Sequence, residues 1–274
     1  MIRNKKRVPP GLAAGAAILL LFLLPTVLVP LVSGVDPNAM QAGAKLLPPA
    51  AGRWFGTDQF GRDIFVRVFV GAGDTLSVAA AAVLIGAFFG VLTGAVSGFF
   101  GGWADAVLMR LNDAVTAFPA VLLALVLMSL FSSGGAGRLI LALGVVFIPG
   151  YARVTRGAVA SVSARGYIAA ARSQGVRRGR ILFVHVLPNT LPSLLPALTI
   201  GFNNAVLAEA GMSYLGVGAA PPDASLGLML SEAQGLLFSA PWYALIVCAA
   251  LLIPVFGVGL IGAGLQRMGG EARA

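Results

Sequence analysis

The chain has 274 residues, 58% of them hydrophobic and 11% charged, with a mean hydropathy of +0.91. Soluble domains carry about 25% charged residues, so an ordinary water-soluble protein is excluded. The formal charge is +9, but the basic residues cluster beside apolar runs, a pattern of membrane topology rather than of nucleic-acid binding. The single cysteine, Cys248, lies in an apolar run, cannot form an internal disulfide and reads as packing.

A basic run from Arg3 to Arg7 precedes the apolar stretch Gly11 to Val32. That stretch can cross a hydrocarbon layer of about 30 Å, and no clean A-x-A cleavage site follows it. It therefore reads as an uncleaved first span with its N-terminus in the cytoplasm. The segment Asp36 to Asp74 is polar, broken by Pro37, Pro48 and Pro49, and falls outside the membrane. Within it Ile64, Phe65, Val68 and Phe69 are near helical spacing, which predicts a short interfacial helix. From Thr75 to Ala104 no Lys, Arg, Asp or Glu occurs, giving a second span. It carries Gly86, Gly90, Gly94 and Gly98, one ridge without side chains where another helix can approach closely.

Asp105, Arg110 and Asp113 mark a short inner loop, and a third span is expected from about Asn112 to Phe131, kinked at Pro119. SSGGAGR supplies the outer turn. A fourth span begins near Arg138 and continues past Arg153 and Arg156, whose long side chains can reach the inner headgroups. The stretch from Arg153 to Pro188 holds seven arginines and no acid, so it stays cytoplasmic. Leu191 to Ala208 gives a fifth span, entered through Pro188, Pro192 and Pro196. Gly211 to Pro241 is semi-apolar and turn-rich, fit to fold back against the bundle from outside. Trp242 to about Leu265 forms the sixth span, and Arg267 and Arg273 close the chain inside. The expected fold is an all-α integral membrane protein with six transmembrane helices and both termini cytoplasmic. Its parts are 1–74, an N-terminal helix with an extracytoplasmic loop, and 75–274, a core of five helices with a cytoplasmic loop over about 155–188.

Chemistry is sparse. None of the three lysines follows a glycine, so no G-x-x-x-x-G-K-[ST] phosphate loop exists. One histidine and one cysteine make no metal-ligand cluster, and no nucleophile elbow occurs. The chain does not read as an enzyme. Glu209, with Asn203 and Asn204 before it, is the candidate for a translocation path, since ionisable groups inside membranes are expensive. The alternative is that Glu209 only caps or pairs at the outer edge. His185 reads as a locally bonded neutral residue. A self-contained secondary carrier would show buried acids in several helices and symmetry between halves, and neither is evident. A long inner loop of small residues and arginines suits docking of a soluble partner.

The stretch YIAAARSQGVRRGRILFVHVLP, Tyr167 to Pro188, resembles the EAA loop of ABC-importer inner-membrane permeases, EAA-x3-G-x9-I-x-L-P. Ala170, Ala171, Gly175, Leu187 and Pro188 fall on that pattern, while Ala169 replaces its glutamate and His185 its isoleucine. Histidine before V-L-P-N is common in the peptide-importer branch. GTDQFGRD, Gly56 to Asp63, is similar to a signature of the dipeptide/oligopeptide/nickel C-type subunit, and Glu209 to Leu230 resembles that subunit's outer loop. The resemblance implies the type I importer architecture in a bacterial plasma (inner) membrane. It implies a heterodimer with a B-type permease, two cytoplasmic ATPases carrying ATP and Mg, and an extracytoplasmic binding protein. This chain would carry no cofactor. Its substrate would be a dipeptide or short oligopeptide, or alternatively a nickel chelate or glutathione. The loop residues Arg165, Tyr167, Ala169, Ala170, Ala171, Arg172, Gly175, His185, Leu187 and Pro188 would form the ATPase-coupling element. Arg165 and Arg172 would face either the ATPase or anionic lipid.

Overall fold

A computed structural model describes residues 9–130 and 135–271. The basic run 3–7, the start of the SSGGAGR turn and Arg273 lie outside the described residues. No β-strand occurs among the described residues, only two isolated bridges in the 50–63 region. Helix α1 (Pro10–Val32) opens on proline, whose missing N–H costs nothing in a first turn. It packs along the last helix, α10 (Pro241–Glu271), where Gly15 brings the backbone against Gly257 and Ile261.

Helix α2 (Ile64–Phe100) starts where Asp63 accepts a hydrogen bond from the Phe65 amide at 2.8 Å. It is 37 residues long, about 55 Å at 1.5 Å per residue, so it outruns a hydrocarbon layer of about 30 Å. The expected interfacial helix is therefore not separate. Ile64, Phe65, Val68 and Phe69 are the first turns of α2, because nothing after the Asp63 cap interrupts the helix. The position 74/75, the expected division of the chain, lies inside it.

The third span differs more. Asp105, Arg110 and Asp113 sit not in a loop but on helix α3 (Gly102–Thr116), which meets α4 (Ala120–Leu130) at 94°. Pro119 breaks the helix rather than kinking it, since proline lacks the N–H and disfavours helical backbone in the residue before it. Helix α5 (Ala136–Ser163) runs unbroken past both arginines. Their side chains bond to α3: Arg156 holds Asp105 at 2.6 and 2.5 Å, and Arg153 donates to Thr116 at 2.8 Å.

A short helix α6 (Gly166–Ser173) follows, then a turn, α7 (Arg178–Arg180) and a π-helical turn over Ile181–Val186. A 3₁₀ turn (Leu187–Thr190) leads into α8 (Leu191–Tyr214), longer than its apolar run alone predicts. Helix α9 (Leu226–Gln234) is capped by Ser225 and folds back against α8, α2 and α10. Among the described residues five segments are long and apolar enough to cross a membrane: α1, α2, α5, Arg178–Tyr214 and most of α10. The α3–α4 pair, bent by 94°, brings the number to six when it is counted as one broken span. Among the described residues three apolar clusters hold the bundle: one around α2, α8, α9 and α10, one where α4 and α5 meet α2 and α8, and one beneath α6.

Candidate functional site

The features singled out in the sequence fall at two ends of the bundle and along its middle. At one end lies α6. Its buried anchor is Ile168, fully covered in a cluster with Ala95, Val159, Val162, Ile181 and Leu182. Tyr167, Ala169, Ala170 and Arg172 are exposed and Ala171 half-buried, and the Arg172 guanidinium lies 5.6 Å from the Phe99 ring centre. Small exposed residues between a buried anchor and arginines leave a smooth, basic face.

The end of α6 is fixed by Gly175, whose φ of +77° suits glycine. Its amide bonds the Arg172 carbonyl at 3.0 Å and the Val176 amide bonds Ala171 at 3.2 Å. That pair of bonds is the Schellman motif, which stops a helix sharply. Arg165 is the residue before α6 and is exposed, as are Arg177, Arg178 and Arg180. His185 lies in the π-helical turn with its carbonyl accepting from Asn189, and Leu187 and Pro188 open the 3₁₀ turn.

Along the middle, Gly86, Gly90, Gly94 and Gly98 all face α5. A methyl on Gly86 would stand 2.8 Å from Phe147 Cβ, and one on Gly90 2.6 Å from Tyr151 Cβ. One on Gly98 would stand 2.6 Å from the Arg156 carbonyl, and Gly94 is as tight against Ala152. The helices touch backbone to backbone, the close approach that stabilises packing where lipid removes the hydrophobic drive between helices.

The three candidates on α8 separate. Asn203 donates to the Val255 carbonyl at 3.0 Å and so joins α8 to α10. Glu209 is buried, accepts from the Ser213 hydroxyl at 2.7 Å, and faces the region where Thr75 accepts from the Leu226 amide. Asn204 alone of the three is exposed, in a groove of about 250 Å³ between α5 and α8 lined also by Gly150, Tyr151, Ile200 and Gly201.

At the opposite end from α6, four charged side chains meet. Asp58 is fully buried; its carboxylate accepts from the amides of Phe60 and Arg62 at 2.8 and 3.0 Å and from Arg62 Nε at 2.5 Å. Arg62 Nη2 donates to both oxygens of Glu232 on α9, at 3.1 and 3.0 Å, and the Tyr243 hydroxyl donates to Glu232 at 3.0 Å. Arg67, fully buried on α2, donates to the Pro37 carbonyl at 3.2 Å and to Asn38 at 2.8 Å. Its Nε and Nη2 stand 4.0 Å from Asp58 and Glu232, beyond hydrogen-bond reach. Burial alone would lower the Arg62 pKa, but its bonds to Asp58 and the charge of Glu232 outweigh that and raise it. Neither Glu232 nor Arg67 stood out in the sequence. Both are ions in apolar surroundings, the signal that could have found them. Among the described residues no group of His, Cys, Asp and Glu is arranged to hold a metal.

Residues 86–267 match the family described as "Binding-protein-dependent transport system inner membrane component". The chain is 36% identical over 252 residues to "Dipeptide transport system permease protein DppC" of Alkalihalophilus pseudofirmus, covering 92% of this chain and 83% of that one. It is 34% identical to "Oligopeptide transport system permease protein OppC" of Bacillus subtilis, with 92% and 82% covered. It is also 35% identical over 218 residues to "Glutathione transport system permease protein GsiD" of Pectobacterium atrosepticum, with 80% and 72% covered. A solved chain of the MetNI methionine ABC transporter superposes with a TM-score of 0.63 at 22% identity, covering 75% of this chain and 96% of that one. That likeness gives the fold, the type I ABC-importer permease architecture. Taken with the apolar helices, the backbone-to-backbone α2–α5 seam and the exposed α6, these matches make the chain a multi-pass membrane protein that belongs to the inner membrane components of binding-protein-dependent transport systems.

Proposed function

We propose that this chain is one permease subunit of an ATP-driven importer of dipeptides or short oligopeptides. The observation that carries the reading is α6: a helix anchored by one buried isoleucine, ended by a Schellman glycine, and presenting small residues and arginines outward. A soluble partner can dock on such a face by shape, with Arg165, Arg172 and the other arginines meeting its acids. On this reading the α6 end and both chain termini are cytoplasmic, in line with the arginine bias, and the α9 end is extracytoplasmic. The membrane is the bacterial plasma membrane. Two cytoplasmic ATPases bind ATP and Mg and supply the work, since this chain has no phosphate loop. A second, B-type permease completes the path, and an extracytoplasmic binding protein delivers the substrate. Asn204, exposed in the α5–α8 groove, is this subunit's candidate path residue; Asn203 and Glu209 support the helices around it.

The peptide substrate is carried over from the dipeptide and oligopeptide relatives; the glutathione relative supports a second reading, a γ-linked tripeptide in the same path. Affinity purification of the tagged chain tests the class. Co-purifying ATPase and second permease subunits are expected, with peptide uptake into liposomes only when ATP and binding protein are present. Gradient-driven flux from this chain alone would replace the importer with a secondary carrier.

A further inference from the structure

The importer reading leaves the GTDQFGRD segment unused, yet nearly every residue in it is committed. Gly56 and Gly61 take φ of +75° and +77° with their backbones against Leu47 and Gln41, where a side chain would collide. The Thr57 hydroxyl donates to the Ala44 carbonyl and accepts from the Leu47 amide. Asp63 starts α2. These contacts tie the 41–63 segment to itself and to α2. Asp58 and Arg62 do something else: through Glu232 they reach a helix 170 residues away in sequence.

Helix α9 is already seated without that link. Gly227 lies against Ala210 of α8, Gly71 of α2 lies against Ser225, and Met229 and Ala233 are fully buried. Two arginines and two carboxylates balance in charge, but removing four ions from water costs several kcal/mol each before their attraction is counted. Apolar residues of similar volume would leave the fold as stable overall, without fixing one placement of α9. What the ions add is direction: one guanidinium bonds Asp58 along Nε and Glu232 along Nη2, so it fits one relative placement of loop and helix.

We infer that Arg62 and Glu232, neutralised by Asp58 and Arg67, are positioning residues that lock α9 to the 41–63 segment, so that the two move as one cap over the outer end of the transport path. The inference rests on the importer reading for the word path, and on geometry alone for the lock.

The test uses the whole complex in liposomes, with Cys248→Ala removing the native thiol and Ala233→Cys reporting on α9. Three backgrounds are compared: unaltered, Glu232→Gln, and the pair Arg62→Met with Glu232→Met. The single variant leaves a buried guanidinium uncompensated and should lower the yield of complex. The pair restores neutrality and apolar volume and should recover yield and basal ATPase activity. In the pair, labelling of the introduced α9 thiol by a membrane-impermeant maleimide should still rise about tenfold, and peptide uptake should fall about tenfold. Unchanged labelling in the pair overturns the lock, whatever uptake does. Raised labelling with full uptake overturns the positioning role. If the unaltered complex takes up no peptide while labelling still responds, the importer reading fails and the lock stands.

Discussion

At the α9 end, the buried Asp58, Arg62 and Arg67 share one site with the half-buried Glu232, whereas at the α6 end Arg165, Arg172, Arg177, Arg178 and Arg180 all stand exposed with no acid among them in sequence. The same type of residue serves opposite purposes. Charge paired inside a protein fixes one arrangement of the chain, while charge left at the surface is available to something else. The proposed docking of a soluble ATPase on α6 would use both: a face that can be pushed and a structure stiff enough to carry the push.

The contrast can be broken from either side. Arg67→Met removes a fully buried counter-charge from beside two carboxylates and should cost about 3–5 kcal/mol, seen as loss of folded complex on size-exclusion chromatography. A normal yield would mean that the carboxylates do not need it. Gly90→Leu drives a side chain into Tyr151 Cβ and the Ile148 carbonyl. It should cost about 1–3 kcal/mol, lowering the melting temperature of the detergent-solubilised complex.

In Gly175→Leu the added Cβ meets no neighbour within 4 Å, so the strain the structure shows is that of the left-handed backbone, at about 1–2 kcal/mol. Assembly should survive while ATP hydrolysis is uncoupled from uptake; unchanged uptake per ATP would remove α6 from the coupling pathway. Ala169→Glu touches an exposed site and should shift stability by less than about 0.5 kcal/mol. Its effect belongs in binding-protein-stimulated ATPase activity, and no change there would show that shape alone suffices for docking.

The apolar runs and the glycine spacing were legible because each is written in contiguous sequence. Gly86 to Gly98 keep one phase, and that phase alone says that a helix face is bare; that the facing helix is α5 is not in the spacing. The α6 motif was equally local. What stayed hidden are the partners of charges. Asp105 reads as loop because it is polar, but Arg156, 51 residues on, lets it sit on a helix beside α5. Glu232 drew no notice because its partner lies 170 residues before it, and a lone acid in a semi-apolar stretch carries no address. Pro119 marked a disturbance without its size, since a kink and a 94° break use the same residue.

The glycine seam between α2 and α5 also limits how the bundle can deform. Each bare notch is separated from the next by a helical turn, and the fit is two-sided, since Ile85 of α2 lies against Gly144 of α5, where an added methyl would stand 2.8 Å from its Cγ2. A small axial slip would carry Phe147 or Tyr151 out of its notch and onto the rims between, so shear along this seam is blocked until a whole turn has passed. The pair therefore behaves as a single beam, and movement within the bundle falls to its edges, where α8 packs on both helices.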